Sequence, residues 1–238
     1  MHLTVSLCKA SSSSTRWLAR QRSDPYVKLR TSNPDSPSFR SRSSFKLVSL
    51  AARHPSLLQP GKTIVDLGAA PGGWTQVASQ LTKGKSKVFA LDILPFEPID
   101  HVVSLTGDFL SPEIQDRLKE MIQDQGVDTV LSDMMGKMSG VRSRDIQSSL
   151  DLVGAATAFA RGVLKSKKDG EEVVVEGRNK VYPGGNLVLK YFSHPDMNEF
   201  RKTELEPYFA KVMNEKPKES RSESSEAYWV CLGFKGYP

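Results

Sequence analysis

The stretch Asp66-Leu67-Gly68-Ala69-Ala70-Pro71-Gly72-Gly73-Trp74 follows an apolar β-rich run and opens a segment with helical spacing. Glycines at such a junction permit a tight turn and a close approach of backbone to a ligand. The spacing is not GxGxxG, which sets it apart from the common dinucleotide fingerprint. Asp66 ends the first run, where a carboxylate can engage an amino acid's ammonium or its bound water. Asp92 ends the next run, about 20 residues beyond the glycines, the usual place for an acid that grips ribose hydroxyls. Asp108, in Gly107-Asp108-Phe109, and Asp133, in Ser132-Asp133-Met134, follow the third and fourth runs.

Ligands of open α/β sheets bind beyond the carboxyl ends of the strands, so four strand-end aspartates converge on one crevice. Such a crevice suits a cationic, hydroxyl-rich ligand such as S-adenosylmethionine (SAM), whose sulfonium is positive. It suits an anionic pyrophosphate poorly, which disfavours an NAD-dependent oxidoreductase, as does the absence of a clear His/Tyr constellation for hydride transfer.

The elements that must hold these residues alternate. Apolar runs over Thr63–Leu67, Lys87–Leu91, Val102–Leu105, Asp128–Ser132 and Asn186–Phe192 predict strands. Helical patterns over Trp74–Leu81, Pro112–Gln123, Asp145–Leu164 and Asp196–Leu205 lie among them. Phe209–Met213 and Ala227–Phe234 close the chain with no clear helix between them, which predicts an antiparallel pair. The alternation gives a Rossmann-like α/β fold, a seven-stranded, mostly parallel sheet with an antiparallel last strand and helices on both faces. Ser166–Tyr182 breaks the pattern with four basic and four acidic residues and two glycines. It reads as a surface loop or small hairpin inserted between a helix and a strand.

Charge divides the chain in two. The formal net charge is +6. Residues 1–46 carry nine basic side chains against Asp24 and Asp35, so they hold all of the excess and the remainder is slightly acidic. A solvated basic face would account for this, but a polyanion-binding arm accounts for the asymmetry better, because neutralised phosphates release counterions. Residues 1–40 therefore read as a basic arm, and 41–238 as the catalytic domain. Before Asp24 the chain is Ser- and Arg-rich and acid-free, the composition of an organelle transit segment over 1–14 or of a disordered tail. No apolar run reaches the ~20 residues of a membrane span. Cys8 and Cys231 lie far apart, a spacing that supports neither a zinc site nor a disulfide framework and suits a reducing compartment.

The ordered motifs resemble the FtsJ (RrmJ) family of ribosomal RNA ribose 2′-O-methyltransferases. The resemblance runs from Arg16 to Lys235 and rests on Arg16-Trp17-Leu18, Asp24-Pro25-Tyr26-Val27, Arg40 through Leu47, Asp66 through Trp74 and Leu91 through Pro95. It continues through Gly107-Asp108-Phe109, Ser132-Asp133-Met134, Pro183-Gly184-Gly185, Val188-Leu189-Lys190, Lys216-Pro217, Ser220-Arg221 and Ser225 through Tyr228. It implies a catalytic set of Lys46, Asp133, Lys190 and Glu226, with Lys190 the candidate base. It also implies SAM contacts from Gly72, Gly73, Trp74, Asp92, Asp108 and Asp133, with Asp66, Gly68, Ala69, Pro71, Ile93 and Phe109 completing the expected cofactor site. Arg16, Arg20, Arg22, Lys28, Arg30, Arg40 and Arg42 are the expected grip on ribosomal RNA.

Two departures stand out. Met135-Gly136-Lys137 replaces the family's Ala-Pro-Asn after Ser-Asp-Met, and the 166–182 insertion is absent from compact members. The resemblance implies a uridine in the peptidyl-transferase region of large-subunit rRNA as the target, and the expected enzyme is a monomer in the mitochondrion or, alternatively, a bacterial-type cytoplasm. A non-catalytic RNA-binding ribosome-assembly factor with the same fold is the rival reading, and SAM affinity separates the two.

Overall fold

A computed structural model describes residues 25–27, 38–136, 141–177, 179–221 and 224–237. Its strands are β1 (Thr63–Leu67), β2 (Lys87–Asp92), β3 (Val102–Thr106), β4 (Thr129–Ser132), β5 (Val174–Glu176), β6 (Asn179–Val181), β7 (Asn186–Phe192), β8 (Phe209–Glu215) and β9 (Glu226–Phe234). The α-helices are α1 (Ser44–Arg53), α2 (Gly73–Leu81), α3 (Pro112–Ile122), α4 (Arg142–Val163) and α5 (Pro195–Phe200).

Seven strands form one sheet in the order β3-β2-β1-β4-β7-β9-β8. β1 pairs in parallel with both β2 and β4, so the strand order reverses across β1, the topological switch where α/β sheets open a crevice. β9 runs antiparallel to β7 on one side and to β8 on the other. The expected closing pair is thus present, with the last strand inserted between β7 and β8.

The central strands read as continuous apolar runs because both sheet faces are covered. Val65, Leu67, Leu91, Val130, Leu189 and Trp229 pack with Leu118 of α3, Phe159 of α4 and Met197 of α5. On the other face Ile64, Val88, Leu131, Val188, Tyr228 and Val230 meet Leu47 and Leu50 of α1 and Trp74 and Val77 of α2. Each fully buried Leu or Val contributes about 1.5–3 kcal/mol. Trp229 stacks on Tyr191 at 4.0 Å between ring centroids and on Phe200 at 5.8 Å.

Two expectations change in detail, and the small hairpin expected within 166–182 is present. The helix foreseen over Asp196–Leu205 is α only to Phe200. It ends in a π-helical turn, Arg201–Leu205, in which Glu206 N donates to Arg201 O, and the wider turn brings Leu205 into full burial. Asp128 precedes β4 instead of starting it, and its carboxylate accepts from Thr63 N at 2.9 Å. Within 166–182, β5 and β6 form a two-stranded antiparallel hairpin around Gly177. Among the described residues no helix is long and apolar enough to cross a membrane. Cys231 is buried in β9, whereas Cys8 and residues 1–24 lie outside the described residues.

Candidate active site

The sheet register assembles the candidate site. Ser132 of β4 is level with Leu189 of β7, so Asp133, one residue on, reaches the level of Lys190. Lys190 in turn pairs with Tyr228 of β9, and Phe192 pairs with Glu226. Side chains two apart on a strand share a face, which places Lys190, Tyr228 and Glu226 on the side covered by α1. There Lys46 projects from α1, whose apolar positions Leu47 and Leu50 anchor it in the core.

Two ion pairs result. Lys46 Nζ lies 2.5 Å from Glu226 Oε1, with side chains only 9% and 13% exposed, and Ser220 Oγ donates to the same oxygen at 2.9 Å. Lys190 Nζ lies 3.1 Å from Asp133 Oδ1 and also donates to the Asp133 carbonyl. Between the pairs stands Tyr228, whose hydroxyl donates to Asp133 Oδ1 at 2.8 Å and whose ring lies under Lys46 Nζ at 5.8 Å. Burial, then the negative charges of Asp133 and Glu226, push the Tyr228 phenol well above its ordinary range. It stays a neutral donor and fixes the Asp133 carboxylate.

Lys190 and Asp133 also line a cleft of about 630 Å³ beyond the carboxyl ends of β1, β2 and β4, within the ~300–1,000 Å³ of small-molecule sites. Gly68, Asp92, Ile93, Asp108, Phe109, Met134 and Met135 line it as well. Both oxygens of Asp92 are held by backbone donors, Ala70 N at 2.9 Å and Leu94 N at 2.8 Å. Asp108 is fixed likewise by Leu110 N at 2.9 Å. These Asx-type turns hold two carboxylates in fixed orientations on the cleft. Gly68 has φ +79°, and a Cβ there would come within 2.5 Å of Met134 Cγ on the cleft wall. Three carboxylates around one hollow fit the sulfonium and hydroxyl groups of SAM.

The other expected cofactor residues follow or precede Gly68 and Ala70 on the same turn. The cleft lining takes in none of Asp66, Ala69, Pro71, Gly72, Gly73 or Trp74. A Cβ on Gly73 would lie 1.9 Å from Ser41 Oγ and 2.7 Å from Ser44 Oγ, so its lack of a side chain admits the start of α1. Gly72 has φ +99°, and a Cβ there would lie 3.0 Å from the Arg40 guanidinium. The Trp74 indole is buried, donating to Ser43 O at 2.9 Å and lying against Tyr228. Asp66 is fully buried below the cleft, where Thr75 Oγ1 donates to its Oδ2 at 2.6 Å and its Oδ1 has no partner. Burial raises its carboxyl to about 7, the Thr75 hydrogen bond opposing and the charges of Asp133 and Asp92 adding.

That burial has a measurable consequence. Between about pH 4 and 7 the folded chain keeps a proton on Asp66 that the unfolded chain releases. The stability it contributes is complete below the unfolded value and is lost as pH rises, by about 1.4 kcal/mol per unit. Urea unfolding of wild type and Asp66→Asn at pH 4 and pH 7.5 should show the wild type losing about 4 kcal/mol more across that window. Equal losses would contradict the buried, protonated carboxyl.

Of the expected RNA contacts, Arg16, Arg20, Arg22, Lys28 and Arg30 lie outside the described residues. Arg40 donates to the carbonyls of Glu97 and Pro98, tying the entry of α1 to the loop after Asp92. Arg42 donates to Glu219 O at 2.6 Å and lies over the Tyr26 ring. Both arginines thus make contacts within the protein. Sequence reasoning placed Tyr228 and Ser220 within matching motifs but gave neither a role in the site, although strand alternation with Glu226 places Tyr228 on the same face.

A family model described as FtsJ-like methyltransferase matches residues 39–234. A ribosomal RNA large subunit methyltransferase E of Stutzerimonas stutzeri is 37% identical over 228 residues, covering 96% of this chain and all of that protein. The protein of the same name from Legionella pneumophila is 38% identical over 222 residues, 93% of this chain and 97% of that one. Among solved structures, one described as a ribosomal RNA methyltransferase from Plasmodium falciparum aligns with a TM-score of 0.69 at 27% identity. It covers 84% of this chain and 100% of that one.

Proposed function

This chain belongs to the FtsJ-like methyltransferase family, and on that premise we propose that it transfers a methyl group from SAM to a ribose 2′-hydroxyl of large-subunit ribosomal RNA. The observation that carries the proposal is the position of Lys190, shared between the cofactor cleft and the row of ion pairs, with Asp133 at 3.1 Å. When bound, SAM supplies the electrophilic methyl group.

The residues divide the remaining work. Asp92 and Asp108, oriented by backbone donors, accept from the cofactor's hydroxyl and amino groups. Asp133 borders both the cofactor and Lys190. Lys190 Nζ, as the neutral amine left once its own proton passes to solvent, accepts the proton that leaves the 2′-oxygen, and Asp133 pairs with the ammonium so restored. Lys46, fixed by Glu226 and Ser220, positions the ribose from the α1 side. Aligning the two reactants contributes up to ~7–11 kcal/mol, so the lysine need supply only part of the acceleration.

The basic arm, with Arg16, Arg20, Arg22, Lys28 and Arg30, grips the RNA backbone, and the protein acts as a monomer. The favoured target is the uridine in the peptidyl-transferase region that the family resemblance implies. Met135, which replaces the usual alanine, lies exposed on the cleft rim, where it borders the target nucleotide. The curated relatives named above are bacterial and lend no support to a mitochondrial address for residues 1–14; they favour the bacterial-type alternative.

Calorimetric titration tests the cofactor assignment. The wild type should bind SAM and not NAD, and Asp92→Ala should weaken SAM binding by about 1–3 kcal/mol, the range for losing a carboxylate hydrogen-bonded to a ligand. A folded Asp92→Ala protein with unchanged SAM affinity would remove Asp92 from the site. A wild type that binds rRNA but no SAM would leave the assembly-factor reading.

A further inference from the structure

We propose that a basic groove at the opposite end of the sheet from the cleft is a second contact for the phosphate backbone of RNA, an inference that rests on the ribosomal RNA reading above. Two adjoining hollows of about 660 and 180 Å³ lie where β1, β4 and β7 begin and α4 ends, and they share Ser56, Gln59, Val181 and Tyr182. The inserted hairpin forms one wall through Lys180, Val181 and Tyr182.

Six cations line the groove: Arg53, Lys62, Lys165, Lys168, Lys180 and Lys211. The carboxylates among its lining residues are Asp128 and Glu171. Asp128 is sunk in the floor, 12% exposed, and is shared by Lys62 at 3.3 Å and Lys165 at 2.7 Å, whose own side chains are 43% and 45% exposed. Glu215, behind the groove, is shared in the same manner by Arg53 and His54. Glu171 accepts from the backbone N of Lys168. Lys168, Lys180 and Lys211 are exposed and take part in no ion pair among the described residues.

Six cations against three carboxylates, Asp128, Glu171 and Glu215, leave the groove positive in sum. Beyond residue 46 the chain is slightly acidic in sum, so this concentration is a local segregation of charge. Like charges gathered on a surface repel one another. The cations come from separate segments spread along the groove, an arrangement that follows an extended polyanion better than a single phosphate. Lys190 is four residues along β7 from Asn186 on the groove, about 13 Å at ~3.3 Å per residue. RNA held there is therefore a different part of the molecule from the target nucleotide. The groove gives the 166–182 insertion a role: it supplies Lys168 and Lys180.

The test uses the full chain and the triple variant Lys168→Gln/Lys180→Gln/Lys211→Gln, none of which belongs to the catalytic or cofactor site. Affinity for large-subunit rRNA is measured across salt concentrations, beside a control triple variant of exposed lysines elsewhere, Lys85→Gln/Lys119→Gln/Lys202→Gln. The groove variant should flatten the slope of log affinity against log salt by about three, roughly one per lysine, and the control by less than one. SAM affinity and the single-turnover rate at saturating RNA should not change. An unaltered slope in the groove variant, or equal flattening in the control, overturns the proposal. So does an unaltered slope together with lost binding to polyglutamate, which assigns the groove to an acidic protein. The slope difference between wild type and groove variant, found with a wild type that methylates no rRNA, instead refutes the proposed function and leaves the groove standing.

Discussion

Replacing Lys190 with alanine should lower the single-turnover rate of methyl transfer by about 10²–10⁴-fold, the range for losing one positioned acid–base group. Lys190 lies in the middle of β7, flanked by buried apolar residues, with its head between Asp133 and the cleft. Its loss removes the proton acceptor while the carboxylates of Asp92 and Asp108 remain, so SAM affinity should change far less than the rate. Arginine is the sharper substitution, because it keeps the positive charge but does not give up its proton at working pH. If Lys190 is the base, Lys190→Arg should fail nearly as badly as Lys190→Ala. If it provides charge and geometry alone, Arg should restore much of the rate. Saturating both substrates isolates the chemical step. A Lys190→Arg enzyme within several-fold of wild type would remove the base role while leaving the reaction class intact.

The second large effect concerns stability. Glu226→Met should destabilise the fold by about 3–5 kcal/mol, because it strands the Lys46 ammonium in a nearly closed site and removes the acceptor of Ser220. Adding Lys46→Met should recover most of that loss, since a buried ion pair replaced by apolar side chains is often close to neutral. The double variant should be folded and poorly active, which separates the pair's catalytic use from its structural cost. Denaturant unfolding of the two single variants and the double variant decides it. A Glu226→Met protein within 1 kcal/mol of wild type would show that Lys46 is not held in isolation from water.

The strands were readable where composition left little choice. β1 and β7 are unbroken β-rich runs whose ends match the sequence reading, and Lys190 is conspicuous as the charge within one of them. The convergence of Asp92, Asp108 and Asp133 followed from the rule that crevices form at carboxyl ends, given the strand order. Residues whose meaning depends on a distant neighbour were not readable. A Cβ on Gly73 would meet Ser41 and Ser44, and nothing in the local sequence announces that approach. Asp66 looked like a cleft residue because it ends a strand. All five residues of β1 are buried, so alternation carries no information about which of them meets solvent. The π-helical turn after α5 depends on the tertiary burial of Leu205 and leaves no local pattern. Tyr228 was accessible to the same period-two argument that placed Lys190, two residues from Glu226 on one face.

The most direct test of the account is the chemical position of the transferred methyl. Large-subunit rRNA lacking its native methylation is incubated with the protein and SAM carrying an isotopically labelled methyl, digested to nucleosides and separated by mass. The account predicts label on the ribose of one uridine, as 2′-O-methyluridine in an alkali-resistant dinucleotide. It also predicts loss of that label with Lys190→Ala. Label on a base, or no label from a protein that binds both SAM and the RNA, would contradict it.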